Sequence, residues 1–303
     1  MSKIGIVTVL YKSETVLEDF FISISSQSYK DYILYIIDNS ASIESEKLVH
    51  DYAKKFNILE RIVYLPSPTN LGVAEGNNVG ILAAQKEDCD YILLSNNDIL
   101  IKDENLFQNM INEAVSKQIN ILIPKIHFYD SNEIWFISGH INKFRAKCFH
   151  TNNYTIDTGQ FDQLTECSYA PTCFMLIHKS VFEKVGLMDE KYFVYYDDTD
   201  FLWRCHLKNI KVNIFTKGVI EHKEGKSTGG QTSDFSFYYF TRNRFYFASK
   251  IQENSLIKWL SFTYIFIVSF LRSVKHKKHE FTATFSKNFM QELNLKDKIN
   301  FNQ

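Results

Sequence analysis

The first hundred residues alternate short apolar runs with amphipathic stretches, and this order constrains the fold more than any other feature of the chain. The apolar runs are IGIVTVL, YILYIID, RIVYL and YILLS, and the stretches between them are ETVLEDFFISISSQ, ESEKLVHDYAKKF and AEGNNVGILAAQ. Parallel strands joined by covering helices need crossovers of this length. YILYII and YILLS are continuously apolar, as expected of strands buried on both faces. The sequence therefore predicts an α/β fold with a mostly parallel sheet.

Polar residues follow each of the four predicted strands. Ligands of open parallel sheets bind beyond the carboxyl ends of the strands, so these residues are expected to share one edge. Asp38 is among them, and a carboxylate there can accept a hydrogen bond from a ribose hydroxyl or a base N–H. The sequence therefore predicts a polar-ligand site at this edge. The four segments cover residues 8–11, 38–40, 66–70 and 95–98.

The segment SNND at 95–98 and a later histidine provide the candidate metal ligands. Mg²⁺ is usually bound through one or two carboxylates together with substrate phosphates, so Asp98 alone can suffice. An Asx turn that caps a following helix is the alternative for this segment. His222, in the strand-like VIEHK, is either a further ligand or a half-buried histidine.

The decamer YYDDTDFLWR at 195–204 crowds three carboxylates into an aromatic setting. Asp197 is expected to cap a following helix, and Asp200 is expected to pair with Arg204 at i, i+4. Asp198 is then left without a structural role. A carboxyl in a partly apolar pocket beside like charges should have a raised pKa, which suits a general base.

Gly72, Gly76 and Gly80 are spaced four residues apart, which places them on one face of a predicted helix. They either let this helix pack closely against the sheet or let a diphosphate approach its N-terminus. The glycines match neither G-x-G-x-x-G nor a P-loop, so dinucleotide-binding and NTPase functions lose their main support.

Net charge and the pattern of cysteines indicate which partners and which cellular compartment are expected. The formal net charge of −1 gives no whole-chain attraction to nucleic acid. The five cysteines are scattered without a C-x-x-C pair, which favours a reducing compartment. The apolar run in MSKIGIVTVLYKSE is too short for a secretory leader. We therefore expect a cytoplasmic protein that does not bind nucleic acid.

The C-terminal part differs in composition and is expected to be helical. WLSFTYIFIVSFL at 259–271 is uncharged, and seven basic and three acidic residues follow from Arg272 onward. This pattern is typical of a segment on an anionic membrane surface, while a buried C-terminal helix explains it equally well. The predicted division is a main domain at 1–230, with halves at 1–100 and 101–230, and a C-terminal region at 231–303.

Six segments, taken in order, resemble the family 2 glycosyltransferases. They are VTVLYKSE, IIDNS, NLGVAEGNN, LLSNND, the run from APTCF to CHLKN, and VIEHKEGKS. The resemblance extends over about residues 3–250 and is strongest to bacterial rhamnosyltransferase-like enzymes of surface polysaccharide assembly. It implies a GT-A fold, in which helices flank a Rossmann-like sheet, followed here by a helical extension. It also implies inverting transfer from a nucleoside-diphosphate sugar with a divalent cation, Mg²⁺ or Mn²⁺.

The resemblance assigns roles to individual residues. Asp98 and His222 would bind the cation. Asp198 would be the general base, with Asp197 and Asp200 as alternatives. Tyr11 would stack on the nucleobase. The full set of residues that would bind the donor is Thr8, Tyr11, Asp38, Asn70, Asn77, Asn78 and Asn97.

The expected function is transfer of a sugar from a UDP- or dTDP-linked donor to a hydroxyl of a saccharide acceptor. The acceptor would be carried on a polyprenyl diphosphate, in the assembly of capsule, O-antigen or cell-wall polysaccharide. The basic C-terminal region would contact the inner face of the cell membrane. RNR at 242–244 would lie near the donor diphosphate or the acceptor. Sugar-nucleotide synthesis by nucleotidyl transfer and a non-catalytic saccharide-binding or scaffold role are the alternatives.

Overall fold

The computed structural model describes residues 2–40, 42–223 and 233–276, and the structural statements below concern these residues. The strands are β1 Ile4–Leu10, β2 Tyr32–Asp38, β3 Ile62–Pro66, β4 Tyr91–Ser95, β5 Ile99–Leu100, β6 Ile121–Phe128, β7 Ile134–Phe136, β8 Ser138–Asn142, β9 Lys147–Thr151, β10 Glu166–Cys167, β11 Phe174–His178 and β12 Val212–His222. The helices are α1 Leu17–Ser25, α2 Ile43–Lys55, α3 Gly72–Lys86, α4 Leu106–Ser116, α5 Lys179–Val185, α6 Asp197–Leu207, α7 Asp234–Ile251 and α8 Ser255–Lys275.

One ten-stranded sheet forms the centre of the molecule, with the strand path β10-β12-β6-β11-β4-β1-β2-β3 and with β5 and β7 attached to β12 and β6. The four strands predicted from the first hundred residues are parallel neighbours, which confirms the α/β prediction. Leu10 of β1 pairs with Asp38, and Asp38 pairs with Pro66 of β3. Since these strands end at the same level, the polar segments that follow them share one edge.

Helix α3 lies directly on the sheet, and its glycines explain how. A methyl group at Gly80 would come within 2.3 Å of Val7 Cγ1, and one at Gly76 within 2.9 Å of Val9 Cγ2. These two glycines therefore serve close packing of the helix on β1. Gly72 begins the helix with a φ of 77°, and a methyl group there would lie 2.2 Å from the Phe193 carbonyl oxygen.

Two local predictions differ from the structure. Asp197 is the first residue of α6 and not its N-cap, because Tyr196 occupies the cap position in a left-handed conformation with φ 68°. The strand-like VIEHK is not a separate strand but the end of β12, which begins at Val212 and has an irregularity between Phe215 and Val219. The predicted boundary at 230 lies outside the described residues.

The C-terminal helices pack on the main domain through a second apolar core. This core combines side chains from α7 and α8 with Ala146, Tyr192 and Tyr196. Only four residues of α8, spaced four apart, are buried: Ser261, Ile265, Ser269 and Ser273. The remaining faces of α8 are largely exposed, so a fully buried C-terminal helix is not what the chain forms. By length and composition alone, α8 is long and apolar enough to cross a membrane.

Candidate active site

Asp98 and His222 are brought together by the short strand β5. This strand pairs antiparallel with the end of β12, so that His222 lies opposite Ile99. The backbone N–H of Lys223 donates to the Asp98 carbonyl at 2.8 Å and closes the pairing. As a result, the Nε2 atom of His222 lies 3.2 Å from Oδ1 of Asp98. Two residues that are far apart in the sequence therefore lie side by side at the end of the sheet.

The polar atoms of this pair lack ordinary partners. Within the described residues, Asp98 Oδ1 and both ring nitrogens of His222 are buried and make no hydrogen bond, because the approach of 3.2 Å has the wrong geometry for one. Trp135 packs edge-on against the His222 ring, with centroids 4.5 Å apart. Buried polar atoms are normally paired, so this pair fits the requirements of a divalent cation.

Further protein ligands are not gathered at this position. Among residues 2–40, 42–223 and 233–276, no three His, Cys, Asp or Glu side chains form a group that could hold a metal. A cation at Asp98 and His222 would therefore need other oxygen ligands, such as phosphate or water.

A donor is expected to bind at the ends of β1 and β2. Asp38 is fully buried and accepts hydrogen bonds from the Ser40 N–H at 2.8 Å and the Tyr64 hydroxyl at 2.6 Å. Thr8 Oγ1 and Asn39 Oδ1 are buried without a hydrogen-bond partner in the part of the chain that the structure describes. A bound ligand can supply the hydrogen bonds that these two atoms lack.

The predicted asparagines all lie near this edge, and most of their amides are engaged with protein. Asn97 donates to the Val9 carbonyl at 2.8 Å and so ties the end of β4 to β1. Asn70 accepts from the Gly72 N–H at 2.9 Å, which forms the turn into α3. Their contacts with a donor stay predictions. The two asparagines within α3 face the segment at 188–190: Asn77 lies 3.8 Å from the Met188 sulfur, and Asn78 binds the Met188 backbone and Glu190.

Tyr11 and its neighbour form the rim beside these strand ends. The Tyr11 ring is half-buried, and the Lys12 ammonium lies 5.5 Å from its centroid. Lys12 adopts a left-handed backbone with φ 51°, and its N–H donates to Ser40 Oγ at 2.9 Å. The stacking of Tyr11 on a nucleobase stays a prediction.

Asp198 lies in the first turn of α6. Its Oδ2 accepts a hydrogen bond from the Tyr169 hydroxyl at 2.7 Å, and its Oδ1 accepts from the Thr199 N–H at 2.5 Å. Burial raises the pKa of Asp198, and the hydrogen bonds from Tyr169 and Thr199 partly oppose this rise. A half-buried carboxylate with a raised pKa is suited to accept a proton.

The two neighbouring aspartates have different environments. Asp200 is 1% exposed and is paired with Arg204 at 2.8 Å, as predicted, and also with Lys250. These partners make Asp200 a structural residue. Asp197 is buried, and desolvation together with the charge of Asp198 raises its pKa to about 8. The geometry therefore favours Asp198 over Asp200 as a base and leaves Asp197 as its neighbour in the same acidic turn.

Cys173 is a buried residue bound to the segment that carries Asp98. Its carbonyl accepts from the Asn96 N–H at 2.8 Å, two residues before Asp98. Burial raises the pKa of its thiol, and the charges of Asp98 and then Asp198 raise it further. Both carboxylates therefore lie close enough to this buried thiol to influence its pKa.

A row of aromatic side chains also joins the two positions. From His222 the row runs through Trp135 to His150, whose ring centroids are 5.2 Å apart, and on to Tyr169 at 5.9 Å from His150. Tyr169 then reaches Asp198 through its hydroxyl. No pattern in the sequence indicated this row, because its members come from separate turn-rich segments without periodicity.

Comparison with solved structures identifies the class of fold. The chain superposes on the mannosyltransferase PcManGT from Pyrobaculum calidifontis, solved with GDP-Man and Mn²⁺, with a TM-score of 0.61 over 94% of this chain and 76% of that chain, at 10% identity. It also superposes on residues 1–349 of S. aureus TarS in complex with UDP, with a TM-score of 0.54 over 98% of this chain and 76% of that one, at 12% identity. The fold is that of the GT-A glycosyltransferases.

The sequence comparison then gives the family. The model of glycosyl transferase family 2 matches residues 5–186, and the chain belongs to that family and is a glycosyltransferase. The low-salt glycan biosynthesis hexosyltransferase Agl10 of Haloferax volcanii is 25% identical over 93% of this chain and 88% of its own length. The dTDP-rhamnosyl transferase RfbF of Shigella flexneri is 24% identical over 74% of this chain and 70% of its own length. The resemblance seen in the six sequence segments is thus confirmed.

Proposed function

We propose that the protein is an inverting glycosyltransferase that moves a sugar from a UDP- or dTDP-linked donor to a saccharide hydroxyl. The observation that carries this proposal is the continuous row of aromatic rings that joins the Asp98 and His222 pair to Asp198. Such a site can hold a leaving group at one end and a proton acceptor at the other. The name of RfbF, a dTDP-rhamnosyl transferase, supports a nucleoside-diphosphate sugar as donor.

The proposed chemistry is a single displacement. Asp198 takes the proton of the acceptor hydroxyl as that oxygen bonds to the anomeric carbon, and the bond from this carbon to the nucleoside diphosphate breaks. General base catalysis contributes about 10²–10⁴-fold, and correct positioning of the two substrates contributes further. A divalent cation, Mg²⁺ or Mn²⁺, would be held by Asp98 and His222 and would neutralise charge on the diphosphate leaving group.

The acceptor is proposed to be a lipid-linked saccharide in surface polysaccharide assembly, at the inner face of the cell membrane. Helix α8 supports this part of the proposal, since Trp259 is 63% exposed and Leu271 is 61% exposed. Lys258, Arg272 and Lys275 are the charged residues of this helix, and all three are basic. An exposed apolar surface flanked by basic side chains fits contact with anionic lipid.

Two substitutions test the proposed chemistry. Asp198→Asn should leave donor binding intact and lower turnover about a hundredfold or more, because only the proton acceptor is removed. Asp98→Ala should abolish Mn²⁺-dependent donor binding in calorimetry. The donor is first selected from a panel of nucleotide sugars by thermal shift with Mn²⁺, since a ligand of the native state raises its stability.

A matched control is available at the other end of the sheet. Asp90 pairs with Lys179 at 3.0 Å, and its side chain is 38% exposed, so Asp90→Asn should leave binding and turnover unchanged. Equal losses of donor affinity and rate in Asp198→Asn would make Asp198 a donor ligand. Unchanged Mn²⁺-dependent binding in Asp98→Ala would remove the metal assignment.

A further inference from the structure

The turn that leads into α6 has an unusual backbone. Tyr195 and Tyr196 both have positive φ values, 64° and 68°. Residues other than glycine rarely adopt this conformation, and two in succession require support from their surroundings. The Tyr196 carbonyl accepts from the Asp200 N–H at 2.9 Å, so this turn continues directly into the first helical turn that carries Asp198.

The support comes from Asn243 in α7. Asn243 is fully buried, and its Nδ2 donates to the Val194 carbonyl at 2.7 Å and to the Tyr195 carbonyl at 2.9 Å. Its Oδ1 accepts from Arg242 at 2.7 Å. The amide nitrogen therefore donates to the carbonyl that precedes the left-handed pair and to the carbonyl between its two residues. Without it, these carbonyls would lose partners in a buried position.

Other residues of α7 contact the same turn and the segments on either side of it in the sequence. Phe240 stacks on Tyr195 with ring centroids 3.9 Å apart. Tyr246 and Lys250 bind the Asp189 carboxylate at 2.8 Å and 2.9 Å, and Lys250 also pairs with Asp200 in α6. Asn243, Tyr246 and Lys250 follow one another at helical spacing, so one face of α7 is directed at the segment before and within α6.

We propose that Asn243 is a positioning residue, which fixes the left-handed Tyr195–Tyr196 turn and thereby orients the Asp198 carboxylate toward Tyr169. This inference rests on the proposed function, in which Asp198 is the base. The assignment differs from the sequence prediction for RNR at 242–244, which placed this segment beside the donor diphosphate or the acceptor. In this arrangement Asn243 acts through the turn and contacts no substrate.

Substitution of Asn243 in the full chain tests the proposal through the division between kcat and KM. Asn243→Ala and Asn243→Leu should lower kcat for Mn²⁺-dependent nucleoside diphosphate release about 10–100-fold, because a small displacement of the base is costly. The KM for the donor should stay unchanged, since Asn243 contacts none of the residues expected to bind the donor. Unchanged kcat, or a rise in KM that accounts for the whole loss, would overturn the proposal.

Ile251 provides a control for general loss of stability. It is buried at the far end of the same helix, so Ile251→Ala should lower Tm and retain kcat. An equal loss of kcat in Ile251→Ala at an equal loss of Tm would show that Asn243 serves stability only.

Tyr195→Gly gives a second test that is independent of how well the Asn243 variants fold. Glycine adopts a φ of 64° without a steric penalty, so the turn then needs less support. Asn243→Ala should therefore lower kcat less in the Tyr195→Gly background than in the natural chain. If the double variant lost kcat by the product of the two single-variant factors, the proposal would be contradicted, because substitutions at independent sites combine in this way.

Hydrogen exchange separates this inference from the proposed function. The amides of residues 194–198 should exchange faster in Asn243→Ala than in the natural chain and in Ile251→Ala. This readout does not depend on activity. If the natural chain released no nucleoside diphosphate from any donor, the proposed function would fail, while unchanged exchange in Asn243→Ala would overturn the role of Asn243.

Discussion

The Tyr169 hydroxyl is the one side-chain donor from outside α6 that bonds to the Asp198 carboxylate within the described residues. Burial raises the pKa of Asp198, and the hydrogen bond from Tyr169 lowers it, because the bond favours the charged form. The two effects together set the pH at which Asp198 becomes a proton acceptor. Tyr169 is therefore a residue whose loss should be visible in a pH profile.

Tyr169→Phe should move the acidic limb of the kcat/KM profile to higher pH. The sign follows from the hydrogen bond: without it the pKa of Asp198 rises further, and a base is active only above its pKa. The comparison is Tyr64→Phe, which removes the corresponding hydroxyl from Asp38. That variant should keep the position of the acidic limb. A shift of the limb to lower pH in Tyr169→Phe would contradict the assignment of Asp198 as base.

At the scale of single residues, the sequence indicated the chemical groups but not their supports. Asp98 and Asp198 could be selected because one ends an apolar strand and the other has no structural role beside Asp197 and Asp200. Tyr169 was not selected, and RNR at 242–244 was selected for a substrate contact rather than for support of a turn, since Tyr169 and Asn243 act through contacts with distant segments. Contacts of this kind leave no local pattern in a single sequence.

The packing of α3 on β1 shows how an element depends on the absence of side chains. Gly80→Ala should lower the free energy of unfolding by about 1–3 kcal/mol, because the new methyl group would overpack the contact with Val7 and Ile37. Alanine is a better helix former than glycine, so helix propensity alone would predict a gain of stability, whereas overpacking predicts a loss. Urea unfolding of the variant measures the change in the free energy of unfolding.

Leu82 serves as the comparison on the same helix. Its side chain is 45% exposed, and Leu82→Ala should change stability by no more than about 0.5 kcal/mol. A stabilised Gly80→Ala protein would show that α3 can move away from the sheet without cost.

At the scale of elements, periodicity predicted the parallel half of the sheet because each run there is long enough to show its period. It missed β5, which has two residues, yet this strand places His222 beside Asp98. The prediction that Asp197 caps α6 was wrong. Aspartate is preferred at the N-cap position, but the left-handed turn bound by α7 places Tyr196 there instead. Local rules therefore fail here where a distant helix sets the backbone.

For the molecule as a whole, α8 provides the surface proposed to contact lipid. The full-length protein should sediment with vesicles that contain phosphatidylglycerol and less with vesicles of phosphatidylcholine alone, since basic residues flank the apolar face. Ile267→Glu combined with Leu271→Glu should reduce this binding, because both side chains are more than half exposed.

Val115→Glu is the control for this experiment, because Val115 is an apolar residue of α4 with 51% exposure on a different surface. It should leave sedimentation unchanged. Absence of vesicle binding by the natural chain would remove the membrane part of the proposal and leave the proposed transfer reaction as it stands.

The attachment of α7 to the acidic turn has a consequence for the size of the minimal catalytic unit. A protein shortened to end at His222 would keep every strand of the sheet together with Asp98, His222 and Asp198. It would lack the amide that restrains the two tyrosines, and its acidic turn would relax toward commoner backbone angles. Such a fragment would retain the half proposed to bind the nucleotide while losing turnover, although no chemically reactive group had been removed.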